Sequence, residues 1–366
     1  MDSNLLEKYA RTLIQYSLSV KKGDLVVIQG YKEAMPLIEL CYREVLNAGA
    51  HPHVLMRHQL DEILLKVGRD DQLSFENPIS EAVIMNADKI LNIGGSSNTK
   101  YLSGVEPKRI AYYRKSGKRL NELYMNRVDN NELDWTLCMF PTDSLAQEAG
   151  MSLRDYEDFV AGACLLKDED PVLAWKEVSK NQEKAIEYLK DKETIRIVSR
   201  DTDVSMKVGG RVWINSDGRT NFPSGEVFTG PVEDSVEGKI RFSFPGIYAG
   251  QEIEDIKLVF KKGKVIEASA SKGEELLREL INTDEGASMV GEVAIGTNYG
   301  IDRFTKNMLY DEKMGGTVHM ALGKSYGKSG GKNISAIHWD MLCDMKEGGE
   351  IYADGELFYK NGNFML

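Results

Sequence analysis

The stretch KGDLVVIQGYKEAMPLIELCYREVLNAGAHPHVLM, residues 22–56, decides how the first half of the chain folds. Leu25-Val26-Val27-Ile28 is apolar without alternation, the pattern of a strand buried on both faces of a parallel sheet. Pro36 stands near the start of a helical pattern, where its missing N–H costs little, and Gly49 is placed to end it. His51-Pro52-His53-Val54-Leu55-Met56 then reads as a second strand. Strand, helix, strand is the unit from which parallel sheets are built.

Working outward, residues 4–18 place Leu5, Leu6, Tyr9, Ala10, Leu13 and Ile14 at helical spacing. Beyond 56, the pattern predicts helix around 60–67, a strand at 88–93, helix at 105–118 and a strand at 133–140. Largely helical segments follow at 144–166, broken near Gly150, and from Asp168 to about Tyr188. This alternation predicts an α/β N-terminal domain, a parallel sheet with helices on both faces. After residue 200 the character changes. Glycines crowd the sequence, and short strand patterns appear at 194–199, 205–208, 212–214, 238–243 and 256–260, with one clear helix at 274–282. A strand-rich α+β C-terminal domain is expected, with residues 1–185 in the first domain and 186–366 in the second.

Composition narrows the function classes. A chain of 366 residues with 42% hydrophobic and 28% charged side chains suits two soluble globular domains. A net charge of −11 argues against nucleic acid, whose phosphates need clustered Lys and Arg. No apolar run is long enough to span a membrane, and the acids in MDSNLLEKYARTLIQY (1–16) do not fit a signal peptide. Cys41, Cys138, Cys164 and Cys343 form no C-x-x-C pair and read as buried free thiols, which suggests a cytoplasmic protein. Gly94-Gly95-Ser96-Ser97 follows a strand but lacks the spacing of a dinucleotide loop. His51, His53 and His58 have no carboxylate within their strand and read as surface residues.

The chemistry gathers in the second domain. Glu226 follows a Pro-Ser-Gly turn. In VGEVAIG (290–296), Glu292 shares a face with Val290 and Ala294; in TVHMALG (317–323), His319 shares one with Thr317 and Ala321. In AIHWDM (336–341), His338 and Asp340 share a face, with Ile337 and Trp339 opposite. A charge in such an apolar strand is costly unless it is paired or metal-bound. We therefore expect Glu226, Glu292, Glu312, His319, His338 and Asp340 to converge on two divalent ions. Four carboxylates balance two such ions, and mixed carboxylate and imidazole donors favour zinc, cobalt or manganese over calcium. No Ser-His-Asp or Cys-His constellation competes well with this reading.

The stretches NFPSGEVFTGPVEDSVEG (221–238), GEVAIGTN (291–298), LYDEKMGGTVHMALG (309–323) and HWDM (338–341) together resemble the signature of the aminopeptidase T / aminopeptidase S family of leucyl aminopeptidases, the thermophilic metalloproteases. PTDSLAQEAGMS (141–152) is similar to a first-domain stretch of that family. The resemblance implies a two-metal exopeptidase that acts on peptides with a free N-terminus and assembles as a homodimer. It implies that the six residues above are metal ligands and that Tyr326 lies at the active site. Glu292 or Glu226 would carry the proton to the leaving amine. Two alternatives stay open: a metal-dependent hydrolase of other amides or esters, and a non-catalytic metal-dependent binding protein.

Overall fold

The computed structural model describes residues 1–248 and 250–366. The chain forms two compact units: residues 1–174 with 218–222, and residues 175–217 with 223–366. The division falls inside the helix Pro171–Leu189, earlier than the expected join after 185. The reason lies in that helix, whose Leu189 belongs to the core of the second unit, with Ile186 and Tyr188 packed against it.

In the first unit, four strands, β1 (Leu25–Gly30), β2 (His51–Met56), β3 (Lys89–Gly94) and β4 (Asp134–Met139), pair in parallel in the order β2-β1-β3-β4. Val26, Val27 and Ile28 are all buried, as the unbroken apolar run predicts. Val27 and Ile90 point to one face and pack with Val83, Tyr124 and Val128, which lie on the helices Pro78–Asn86 and Lys118–Asp129. The other face carries Gly30, where an added Cβ would stand 2.9 Å from Ile38 of the helix Met35–Asn47. Helices therefore cover both faces.

Local expectations were refined in three places. The helix over 4–18 is α-helical only across Ser3–Thr12 and continues as a π-turn, Leu13–Ser17, that buries Leu13, Ile14, Tyr16 and Ser17. The helical segment at 105–118 is two helices, Pro107–Ser116 and Lys118–Asp129, parted at Gly117. The loop after β3 is tied down by the chain itself, because Ser96 O accepts from Ser144 Oγ at 2.5 Å and from Thr142 Oγ1 at 3.2 Å.

The second unit holds an eight-stranded and a five-stranded antiparallel sheet. They share one hydrophobic core. Ile195, Ile197, Val204 and Leu258 enter it from the first sheet; Val227, Val293, Ile295, Val318, Met320, Trp339 and Met341 enter it from the second. Each such aliphatic side chain contributes about 1.5–3 kcal/mol on burial. The five-stranded sheet runs His338–Asp344, Thr317–Gly323, Val290–Gly296, Glu226–Thr229, Ile214–Ser216. Its last strand starts two residues later than the pattern at 212–214, because Val212 donates its N–H to Ser329 O instead of joining the ladder. Since every second residue of this sheet points into the core, the alternate set lies together on the opposite face. That set includes all the polar residues singled out on these strands.

Candidate metal centre

Register brings the polar residues into one patch. Glu292 pairs with Ala321, and Ala321 with Asp340, so a methyl group separates the two carboxylates across three strands. His319 pairs with Ala294, and Glu226 with Gly296. Alanine and glycine at these positions leave room for the long side chains beside them. The turn before Glu226 is fixed from below. Gly225 has a φ of +119°, and an added Cβ would lie 2.6 Å from Asn298 Cβ. Asn298 Nδ2 donates to Ser224 O at 2.8 Å, and Thr297 N donates to Gly225 O at 2.8 Å.

His319 Nε2 lies 3.1 Å from Glu292 Oε1, 3.6 Å from Glu226 Oε2 and 3.8 Å from Asp340 Oδ1. His338 Nε2 lies 3.4 Å from the same Asp340 oxygen. Both imidazoles use Nδ1 on a backbone carbonyl, Glu312 O at 2.8 Å for His319 and Lys324 O at 2.7 Å for His338. A carbonyl only accepts, so each Nδ1 carries the hydrogen and each Nε2 faces the carboxylates, the orientation that metal-binding histidines adopt.

Two overlapping groups result: Glu226, Glu292 and His319, and Glu292, His338 and Asp340. Within each, one donor atom from every residue lies within 4.8 Å of the others. Glu226 Oε2 and Asp340 Oδ1 are buried and accept no hydrogen bond. Orphaned lone pairs of this kind are costly unless something electropositive sits against them. The donor set thus fits divalent ions on its own chemistry.

Without ions, protons and a lysine balance the charge. Burial works against a charged His319, but the hydrogen bond to Glu292 and the charges of Glu226 and Asp340 outweigh it and hold the imidazole up at about 9. His338 is likewise disfavoured by burial and held up at about 10, chiefly by Asp340. Burial also raises Asp340, yet His338, His319 and Lys313 together bring it down to about 2. Burial raises Glu292 despite His319 beside it.

Glu312 departs from expectation. Its carboxylate is taken by the ammonium of Lys313, although the nearby charges of Asp340 and Glu226, added to burial, push it up to about 7. It therefore lies beside the patch but in neither donor group. Tyr326 is 43% exposed, with its ring edge-on to Phe228 at 5.7 Å, two residues along the strand from Glu226.

Two residues escaped the sequence reading. Lys313 is fully buried, with Nζ 3.6 Å from Glu226 Oε1 as well as against Glu312. Nothing in its pattern marks it, because lysine is normally a surface residue. Gln182 is 2% exposed and donates to Glu226 O at 2.7 Å and Asn215 Oδ1 at 2.8 Å. Its signal was present: it falls in the stripe Trp175, Ala185, Leu189 that this helix buries. His51, His53 and His58 are exposed and belong to no donor group among the described residues.

A parallel α/β unit joined to an antiparallel unit bearing a carboxylate–imidazole patch fits the class of metal-dependent enzymes. The chain belongs to the thermophilic metalloprotease (M29) family, whose model matches residues 2–364, and is a metal-dependent peptide hydrolase. It is 27% identical to aminopeptidase AmpS of Bacillus subtilis (strain 168), over 99% of this chain and 98% of that protein. It is 28% identical to aminopeptidase 2 of Geobacillus stearothermophilus, over 98% of this chain and 97% of that protein. Its structure matches wild-type AmpT from Thermus thermophilus with a TM-score of 0.85 and 25% identity, covering 99% of both chains.

Proposed function

We propose that this chain is an aminopeptidase that releases N-terminal residues from peptides with two divalent ions. The observation that carries the reading is the pair of donor groups sharing Glu292. Glu226, Glu292 and His319 would hold one ion and Glu292, His338 and Asp340 the other, with Glu312 joining if its carboxylate leaves Lys313. Zinc, cobalt or manganese suits these donors. When bound, such a pair supplies a Lewis acid for the scissile carbonyl, a resting place for the neutral α-amine and a hydroxide near neutral pH.

The protein's own groups complete the chemistry. Lys313 cancels one of the four carboxylate charges, so two divalent ions leave one positive charge over, suited to an anionic nucleophile. A carboxylate not fully committed to an ion would pass the proton to the leaving amine, with Glu292 and Glu226 as the candidate carriers. The Tyr326 hydroxyl donates to the carbonyl oxygen as charge builds there, worth about 2–4 kcal/mol. The first unit limits access and forms a homodimer contact, and the protein works in the cytoplasm; its mass in solution tests the dimer.

Dialysis against a chelator is expected to abolish release of amino acid from aminoacyl anilides, and added divalent ion to restore it. Turnover by the metal-free protein would overturn the reading. Cleavage of N-acetylated substrates would favour a general amide hydrolase, and metal binding without any turnover a binding protein. Tyr326→Phe is expected to lower turnover by about 10²–10³ with metal content unchanged; loss of metal would assign the tyrosine a structural role.

A further inference from the structure

We infer that the first unit carries a second, non-catalytic site, which binds a free amino acid with a large apolar side chain. The strand order β2-β1-β3-β4 reverses direction at β1 and β3. In open parallel sheets, ligands settle outside the carboxyl ends of the strands at such a point. A cavity of about 820 Å³ opens there. Its floor includes Gln29 near the end of β1 and Asn92 near the end of β3, a register pair whose side chains therefore share a face. Its walls are apolar, with Ile79, Val83 and Ile84 from one helix and Leu120 and Tyr124 from another.

Two charged groups in this cavity lack ionic partners. Arg57 follows β2, and its Nη2 donates to Gln29 Oε1 at 3.0 Å and Asn92 Oδ1 at 2.7 Å. Among the described residues no carboxylate pairs with it. The guanidinium is thus aimed by two neutral amides, and its remaining N–H groups are free for an anion. Asp61 also lines the cavity. Its Oδ2 accepts from the Tyr101 hydroxyl at 2.8 Å, while its Oδ1 is buried with no donor. A cation and an anion, each incomplete, beside an apolar wall match a zwitterion: an α-carboxylate for Arg57, an α-ammonium for Asp61 and an aliphatic or aromatic side chain for the wall. His58 also lines the cavity, and its Nδ1 accepts from Leu60 N at 3.2 Å.

Binding itself is independent of the proposed peptidase activity; its meaning rests on that reading, because a free amino acid is what an aminopeptidase releases. The site would let accumulating product act through a unit other than the one that carries the metal-ligand candidates.

Calorimetric titration of the full-length, chelator-treated protein with L-leucine and L-phenylalanine tests the inference with the metal centre silenced. Saturable one-to-one binding is expected. Leucinamide, without the carboxylate, and 4-methylpentanoate, without the ammonium, are each expected to bind about tenfold or more weakly, the loss of one charge-assisted contact. Arg57→Ala and the conservative Asp61→Asn are expected to weaken leucine by a similar factor while keeping the wild-type circular dichroism and turnover of aminoacyl anilides. No binding of leucine at millimolar concentration would overturn the site. So would equal binding of leucine and 4-methylpentanoate, or unchanged binding in both variants. A protein that binds leucine but hydrolyses nothing would keep the site and remove the peptidase reading.

Discussion

Lys313 alters how the metal centre must be understood. A buried ammonium between Glu226 and Glu312 is costly to dehydrate, and it persists because two carboxylates surround it. In the proposed ligand set an ion would give Glu226 another partner, so the lysine matters most when the centre is empty. Lys313→Met is expected to lower the stability of the chelated protein by about 3–5 kcal/mol and that of the loaded protein by clearly less. Urea denaturation with and without chelator measures both, and an equal loss in the two states would contradict this role. Glu292, His319, His338 and Asp340 stood out in the sequence because each falls in an apolar or alternating strand, and Glu226 because it follows a Pro-Ser-Gly turn. Lys313 was not, since it lies in Asp311-Glu312-Lys313, a run of three charged residues that reads as solvent-facing. Burial there comes from the fold around it rather than from local pattern.

At the level of strands, the centre depends on what is small as much as on what is charged. Ala321 separates Glu292 from Asp340 by a single methyl. Ala321→Leu is expected to push the carboxylates apart and to cost about 1–3 kcal/mol from overpacking, with metal content falling well below that of the wild type by elemental analysis. Retention of full metal would show that the spacing is not set by this side chain. Both strands, 290–296 and 317–323, were found with the expected bounds, but Val290, read on the same face as Glu292, enters the core instead, because a β-bulge lies between the two. The cross-strand partners were not readable. Register is fixed by pairing between segments far apart in sequence, and a β-bulge between Val290 and Glu292 shifts it. The strand at 214–216 shows the other limit, because a single tertiary hydrogen bond from Val212 moves its start.

For the whole molecule, the scattered cysteines read as buried thiols, and all four are free and buried. Burial pushes Cys138 up to about 12 and Cys343 up to about 11, and raises Cys41 and Cys164 well above the usual thiol range. A raised value keeps the neutral thiol dominant through pH 8, and the thiolate is the reactive form. Iodoacetamide at pH 8 is expected to leave the native protein unlabelled and to modify all four cysteines in denaturant, read by intact mass. Labelling of the native chain would mean that local opening exposes them. No helix among the described residues is long and apolar enough to cross a membrane. The two fold types were legible from the change of periodicity near residue 200. The return of 218–222 to the first unit was not, because five residues carry no period.

That return has a practical meaning for dissecting the protein. Leu137 N donates to Thr220 O and Leu137 O accepts from Phe222 N, both at 2.8 Å, so the short segment extends the β4 side of the first unit. The fully buried Phe222 also packs on Tyr9 at 5.7 Å. A fragment starting at Trp175 would carry the whole carboxylate–imidazole patch yet leave Phe222 without Tyr9. The two units are therefore interleaved along the chain, and no single cut frees the second unit with all its own residues and none of the first's.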